Sequence, residues 1–457
     1  MTLGLPLSDI AAWTGGRLAG ADVHVDAVAT DSRAPGTGAL FVALRGERHD
    51  AHDFAAEAAA RGAVALLVAR ELPVALPQVV VPDTLVALGE LARGWRRRSR
   101  ARVVGITGSN GKTTVKTLVA SILGRHGRTH VNAGNFNNEV GLPLTLLAMP
   151  ADTEYAVLEM GAGKPGDIAY LAGIASPDVA LVNNVAAAHL ERMGSLQGVA
   201  ETKGALYRAL PANGIAVINA DDAFADYFAR LAAPRRMLAF GIMRRADVGA
   251  SIEPGLSGAG RFRLVAPPGQ VDIALPLPGR HNVMNALAAT SIALALGVPL
   301  ATIREGLEAA PAVAGRLAGR THASGALVID DSYNANPGSF AAAIATLAAR
   351  SGERVLVMGD MKELGTDATR LHAEVGALAR RSGIDRLYAV GELSAAAVEA
   401  FGPAARHFDD QPALAARLAG ELHADMTVLV KGSRSSAMER VVAMLMGDNG
   451  GEARHVA

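Results

Sequence analysis

Gly108, Gly111, Lys112, Thr113 and Thr114 in the string Val103-Val-Gly-Ile-Thr-Gly-Ser-Asn-Gly-Lys-Thr-Thr114 have types and spacing suited to holding a polyphosphate. Gly108 and Gly111 let backbone N–H groups close around phosphate oxygens, and a helix starting at Lys112 adds its partial positive charge. Lys112 then reaches the terminal phosphates and Thr113 offers a hydroxyl to Mg²⁺. Gly108, Ser109, Asn110, Gly111, Lys112, Thr113 and Thr114 are therefore the first candidate nucleotide ligands. The strict phosphate-loop spacing wants glycine at position 106; Ile106 stands there and Gly105 lies one residue early, so the match is to a variant loop. The bland alternative is a glycine-rich turn with an incidental lysine. A phosphate loop alone does not separate hydrolase, kinase and ligase.

A second nucleotide contact is suggested by His281, Asn282 and Asn285, which follow Pro278 and Gly279 and open a helical run; Asn282 could equally cap that helix. Further strings appear in order: Gly134-Asn-Phe-Asn-Asn-Glu-Val-Gly-Leu-Pro143, Glu159-Met-Gly-Ala162, His189-Leu-Glu191, Arg280-His-Asn-Val-Met-Asn-Ala286 and Asp330-Asp-Ser-Tyr-Asn-Ala-Asn-Pro337. Most are weak singly, but their number and order resemble the Mur ligase family across the whole chain. Within it, Tyr333 to Pro337, Gly359-Asp-Met-Lys-Glu-Leu-Gly365 and Lys431-Gly-Ser-Arg434 are similar to the branch that adds D-alanyl-D-alanine to UDP-N-acetylmuramoyl-tripeptide.

The resemblance implies an α/β fold of three domains: an N-terminal UDP-sugar domain, a central phosphate-loop ATPase domain and a C-terminal Rossmann-like domain. It implies an ATP-dependent ligase that activates a carboxylate as an acyl phosphate and joins it to an amine. The substrates would be UDP-MurNAc-tripeptide and D-alanyl-D-alanine, the cofactors ATP and two Mg²⁺ ions. Thr113 and Glu159 would hold the first Mg²⁺; His189 and Lys203 would serve the second, and with Lys112 they make up the catalytic set. A plain ammonium beside Mg²⁺ would be repelled, because the ion prefers oxygen ligands. The family carbamylates a lysine at this point, and burial would supply the neutral amine that CO₂ attacks. Position 205 is alanine where the family pattern has an acidic residue. A solvated helix lysine remains the alternative for Lys203, and a satisfied structural histidine for His189. Arg316 is similar to the arginine that meets the phosphates when the domains close, and Asp331 would accept from the ATP ribose. Ser32 and Arg33, with Asn135, Asn137 and Asn138, would contact the UDP-sugar peptide. Asn334, Asn336, Lys431, Ser433 and Arg434 would present the dipeptide, whose free carboxylate suits a cationic partner. Salt bridges within the domain would explain Lys431 and Arg434 equally well.

The elements that must position these residues follow from periodicity. Short apolar runs at Val103 to Ile106, Ala156 to Met160, Val179 to Val185, Leu327 to Ile329, Val355 to Met358 and Val428 to Val430 alternate with helical patterns, which predicts parallel sheets with crossover helices. Val115, Leu118, Val119 and Ile122 recur at i, i+3, i+4, i+7, and Phe340, Ile344 and Leu347 repeat the pattern. Three blocks result: residues 1–100, 101–313 and 314–457. The basic run at Arg96, Arg97, Arg98 and Arg100 ends a helix capped by Asp83 and reads as a solvated helix end.

Of 457 residues half are hydrophobic, enough for several filled cores. Forty-four basic residues balance forty-four acidic ones, so no overall field favours nucleic acid or an anionic membrane. There are no cysteines, which excludes a thiolate metal site or nucleophile. Met1 to Trp13 lacks the features of a signal peptide, and the apolar stretch from Asn282 to Ile303 is interrupted by polar residues and Pro299, so it reads as a buried helix and a turn, with no membrane-spanning segment. The expectation is a cytoplasmic monomer. The rivals are another ligase of the same superfamily, against which Tyr333 to Pro337 argues, and a phosphate-loop switch or transport ATPase.

Overall fold

The computed structural model describes residues 3–187, 190–252 and 260–448. Each predicted apolar run is a strand, and they assemble into three main sheets. In the nine-stranded central sheet the strand Arg102–Thr107 lies between Tyr155–Glu159 and Val179–Val182, parallel to both. Alternation along these strands divides the interior. Val103, Leu158 and Val182 face one core, and Val104, Ile106, Val157 and Leu181 the other. Both faces are therefore covered, which is why the runs read as continuously apolar rather than alternating. An antiparallel extension, Arg261–Ala266 with Gly269–Ala274, continues one edge.

The five-stranded sheet near the N-terminus has the order Arg17–Ala19, Gln78–Val80, Ala63–Val68, Ala39–Val42, Ala27–Ala29. Its helix Thr84–Arg98 starts at Asp83, whose carboxylate accepts from the backbone N–H groups of Leu85 and Val86. Leu88 and Leu91 of that helix share one core with Leu142, Leu146 and Leu171 of the central region. The expected solvated end of this helix is only partly so. Arg97 and Arg98 are exposed, but half-buried Arg96 donates to the carbonyls of Ala175 (2.9 Å) and Ser176 (3.2 Å). Those carbonyls terminate helix Asp167–Ala175, so Arg96 satisfies groups that the helix itself leaves open.

The six-stranded third sheet runs Ala318–Thr321, Leu327–Asp331, Met426–Lys431, Glu353–Gly359, Arg386–Val390, Ala405–Phe408, all parallel except the first pair. Asp331 and Lys431 end adjacent strands in direct register. The stretch expected to be a buried helix and a turn is the helix Arg280–Ala295, a turn through Gly297 and Pro299, and a second helix Leu300–Glu308. The first is apolar around its circumference because it sits between the sheet and the helix Lys112–Leu123. Among the described residues no helix is long and apolar enough to cross a membrane.

Candidate active site

The strand Arg102–Thr107 delivers the chain to a turn whose backbone is held open by side chains from the neighbouring strand end. Asn184 accepts from the Asn110 N–H (2.8 Å), and Asn183 and Asn184 both donate to the Asn110 carbonyl (2.9 and 3.1 Å). Ser109 N–H donates to the Asn184 carbonyl. Gly111 has φ +79° and leads into helix Lys112–Leu123; a Cβ there would stand 2.5 Å from both Asn183 Nδ2 and Asn285 Oδ1. Only glycine fits this corner. Asn183 also donates to Asn285 (3.1 Å), so the helix Arg280–Ala295 is tied into the same turn. Sequence reasoning missed Asn183 and Asn184, although two amides directly after an apolar parallel strand sit where α/β sheets place their ligands.

Lys112 is half-buried and donates to the Gly108 carbonyl (2.8 Å). Burial pulls its ammonium below the ordinary lysine range, and Glu159 works against that shift. Thr113 and Glu159 come together as expected, with the hydroxyl donating to Glu159 Oε2 at 2.9 Å. The other carboxylate oxygen accepts from Asn137 (2.8 Å). Asn132 clamps the Glu159 backbone in both directions, accepting from its N–H (3.0 Å) and donating to its carbonyl (2.9 Å). Lys116 was also missed. It lies one turn beyond Lys112, and a lysine inside the apolar Val115–Leu118–Val119 face was the available signal.

Lys203, on helix Leu196–Arg208, is 2 % exposed. Burial, with Lys112 adding repulsion, brings its ammonium down to about 7. Among the described residues none accepts a hydrogen bond from it. His189 lies outside the described residues.

Two cavities flank the loop. One, of about 390 Å³, is lined by the phosphate loop, Asn137, Asn138, Glu159, Lys203 and, from the third domain, Tyr333, Asn334 and Asn336. The other, about 290 Å³, is lined by Gly111, Thr114, His281, Asn282, Asn285, Asp331 and Lys431. Asn110, Gly111, Arg316 and Ser339 wall both. His281 is half-buried and its imidazole is shifted down by desolvation. Asn282 is not the helix cap; Gly279 holds that position, and Asn282 donates to the Pro278 carbonyl while accepting from Asn285.

The third domain reaches the loop through two contacts. Arg316 Nη2 donates to Thr113 Oγ1 (3.4 Å), with its guanidinium 4.3 Å over the Tyr333 ring. Asn336, which caps helix Pro337–Ala348, donates to Asn110 Oδ1 (2.8 Å). Among the described residues Arg316 Nε is buried without an acceptor. An unpaired guanidinium N–H beside this loop matches an anionic occupant.

Other expected residues fall elsewhere. Lys431 lines the smaller cavity and not the larger one, and its ammonium donates to Asp331 Oδ2 (2.6 Å) and the Asn334 carbonyl (3.0 Å). Ser433 and Arg434 line neither cavity; Arg434 pairs with Glu439 and touches the site only through Tyr333, 5.8 Å from its ring. Asn135 is exposed and lines neither. Ser32 and Arg33 lie in the first domain, Arg33 closed onto Asp31 at 2.7 Å, and neither reaches these cavities.

The sequence and the fold are similar to those of known proteins. Three family models match in sequence: the Mur ligase family catalytic domain over residues 24–96, the Mur ligase middle domain over 106–293 and the Mur ligase glutamate ligase domain over 315–434. The UDP-N-acetylmuramoyl-tripeptide–D-alanyl-D-alanine ligase of Escherichia coli strain K12 is 47 % identical, over 98 % of this chain and 99 % of that protein. The crystal structure of MurF from Acinetobacter baumannii superposes with a TM-score of 0.92 at 36 % identity, over 97 % of this chain and 99 % of that one. MurF from Thermotoga maritima, solved with ADP, gives 0.83 at 31 %, over 92 % and 97 %. The three consecutive matches, the near full-length relatives and the loop geometry make this chain a member of the Mur ligase family.

Proposed function

We propose that this chain is the ATP-dependent ligase that adds D-alanyl-D-alanine to UDP-N-acetylmuramoyl-tripeptide through an acyl phosphate. The observation that carries the reading is the Thr113–Glu159 pair beside the phosphate loop, whose buried carboxylate lines a cavity that the central and third domains wall together. Relatives bearing that activity by name align over nearly the whole chain, and one of similar fold binds ADP.

A carboxylate does not react with an amine in water until its oxygen becomes a leaving group. The acceptor carboxylate attacks the γ-phosphorus, the bond from that phosphorus to ADP breaks, and ADP departs. The dipeptide amine then attacks the acyl carbon, the bond to phosphate breaks, and the amine releases a proton as phosphate leaves. Charge neutralisation and in-line placement dominate such a transfer. Lys112 and Arg316 bring positive charge to the loop, and the loop N–H groups cradle the phosphates. Thr113 and Glu159 offer the hard oxygen donors that Mg²⁺ prefers, so they fit the first ion. An ion held there would supply neutralising charge to the phosphates. Lys203, buried and with a depressed ammonium, suits carbamylation, which would give a second Mg²⁺ an oxygen donor together with His189. Asp331 and His281 face the ribose side of ATP, and Asn137, Asn138 and Asn334 the acceptor side. The two domains keep water from the acyl phosphate. ATP and the UDP-linked acceptor place the reaction in the cytoplasm, where the chain acts as a monomer.

The test is incubation with ATP, Mg²⁺, D-alanyl-D-alanine and UDP-tripeptide labelled with ¹⁸O in its terminal carboxyl. One label atom should appear in the released phosphate for each peptide bond made. Phosphate without label, or phosphate released with either substrate missing, would refute the ligase reading in favour of a plain ATPase.

A further inference from the structure

Lys116 is 5 % exposed and stands on the first turns of the phosphate-loop helix, where neither the phosphates nor the fold of the sheet calls for a charge. Its ammonium donates to the Asn132 carbonyl (2.8 Å) and the Gly134 carbonyl (3.4 Å), and lies 3.6 Å from Glu159 Oε2. Those two carbonyls open the loop whose Asn137, Asn138 and Glu139 line the larger cavity. The rest of that loop is fastened to the same carboxylate residue: Asn132 brackets the Glu159 backbone, and Asn137 donates to its side chain. A buried lysine placed between two carbonyls and a carboxylate is thus a direct link between the helix that carries the nucleotide and the loop on the acceptor side, beside the indirect one from Thr113 through Glu159 to Asn137.

We propose that Lys116 is a positioning residue that ties the acceptor-side loop to the phosphate loop, so that the acceptor carboxylate is held in line with the γ-phosphate. This rests on the ligase reading above. Without the ammonium, Asn132 and Gly134 keep unpaired carbonyls, and the loop shifts relative to the nucleotide, which stays in place because Gly108, Gly111, Lys112 and Asn183 are untouched. A displacement of about 1 Å in such a placement costs on the order of 100-fold in rate.

The experiment compares K116M and K116R with the wild-type full chain. Three quantities are measured: ADP affinity at equilibrium, steady-state constants for each substrate, and acceptor-dependent positional isotope exchange in ATP. K116M is expected to bind ADP within about twofold of wild type, to lose about 100-fold in kcat and isotope exchange, and to raise KM for the UDP-tripeptide but not for D-alanyl-D-alanine. K116R, which keeps the charge and two donors, should restore most of the rate. The proposal falls if K116M loses ADP affinity in step with rate, if KM rises equally for both substrates, if K116M behaves as wild type, or if K116R is as impaired as K116M. Should K116M fail to fold, the KM split is read on K116R and K116Q, and unchanged values in K116Q refute the proposal. Failure of the wild type to show acceptor-dependent exchange would instead refute the ligase reading.

Discussion

Asp331 and Lys431 offer the sharpest quantitative test of the third domain. They end neighbouring parallel strands in register, 2.6 Å apart, with side chains 11 % and 3 % exposed. Desolvation pulls the Lys431 ammonium down, and Asp331 opposes that shift. Replacing Lys431 with methionine leaves a carboxylate out of water with, among the described residues, only the Leu317 N–H (3.2 Å) as donor. Removing one member of a buried pair costs about 3–5 kcal/mol. For a domain of this size that lowers the melting temperature by roughly 10 °C. Asp331→Asn alone should cost a similar amount, whereas D331N/K431M, with no charge left to strand, should recover about 2–3 kcal/mol of the summed loss. Tryptophan fluorescence will not see this, because Trp13 and Trp95 both lie outside the third domain. Hydrogen exchange of strands Leu327–Asp331 and Met426–Lys431 will. The double variant should still lose nucleotide affinity by roughly 10- to 100-fold, since the ribose loses a charged acceptor. If the two single losses simply add, the pair is not coupled and the electrostatic account is wrong. If affinity returns together with stability, Asp331 is not a nucleotide ligand.

Three further outcomes are expected. Gly111→Ala forces a Cβ to 2.5 Å from Asn183 and Asn285 at a positive φ; the conformational cost and the lost Asn183–Asn285 bond together come to about 2–3 kcal/mol, read as weaker ADP binding by calorimetry. In CO₂-free buffer Lys203→Met should stabilise the protein by up to about 5 kcal/mol. Because the folded-state value near 7 lies below that of an ordinary lysine, the penalty for burying the ammonium is full below about pH 7 and fades as pH rises toward the unfolded value. Melting curves from pH 6.5 to 9.5 should therefore show wild type gaining on the variant. Arg96→Ala removes the donors on the Ala175 and Ser176 carbonyls and should destabilise by about 1–3 kcal/mol, measured by urea unfolding followed through nearby Trp95, with steady-state constants unchanged.

The parts of the site that were legible in sequence are those whose signal is local. A phosphate loop is defined by residues within a few positions, and the strand before Gly108 and the helix after Lys112 carry their own periodicities. Asp83 announced its helix for the same reason. What could not be read was anything decided by which strand lies beside which. Asn183 and Asn184 matter only because Val179–Val182 is the neighbour of Arg102–Thr107. Lys431 resembled a substrate ligand because it is a cation in a family string, and only the register with Asp331 shows where its charge is used. Lys116 was passed over because it falls between the periodic positions Val115, Leu118, Val119 and Ile122, where a lysine reads as a solvated flank; only the approach of Asn132 and Gly134 shows what its charge meets.

The two chambers on either side of the phosphate loop have Arg316 and Ser339 in both their walls. Withdrawing the third domain strips those residues from the nucleotide side and the acceptor side in a single motion. Neither ADP nor the finished peptide can then be let go behind a door that stays shut on the other, and a reactive intermediate survives only as long as both rooms remain locked.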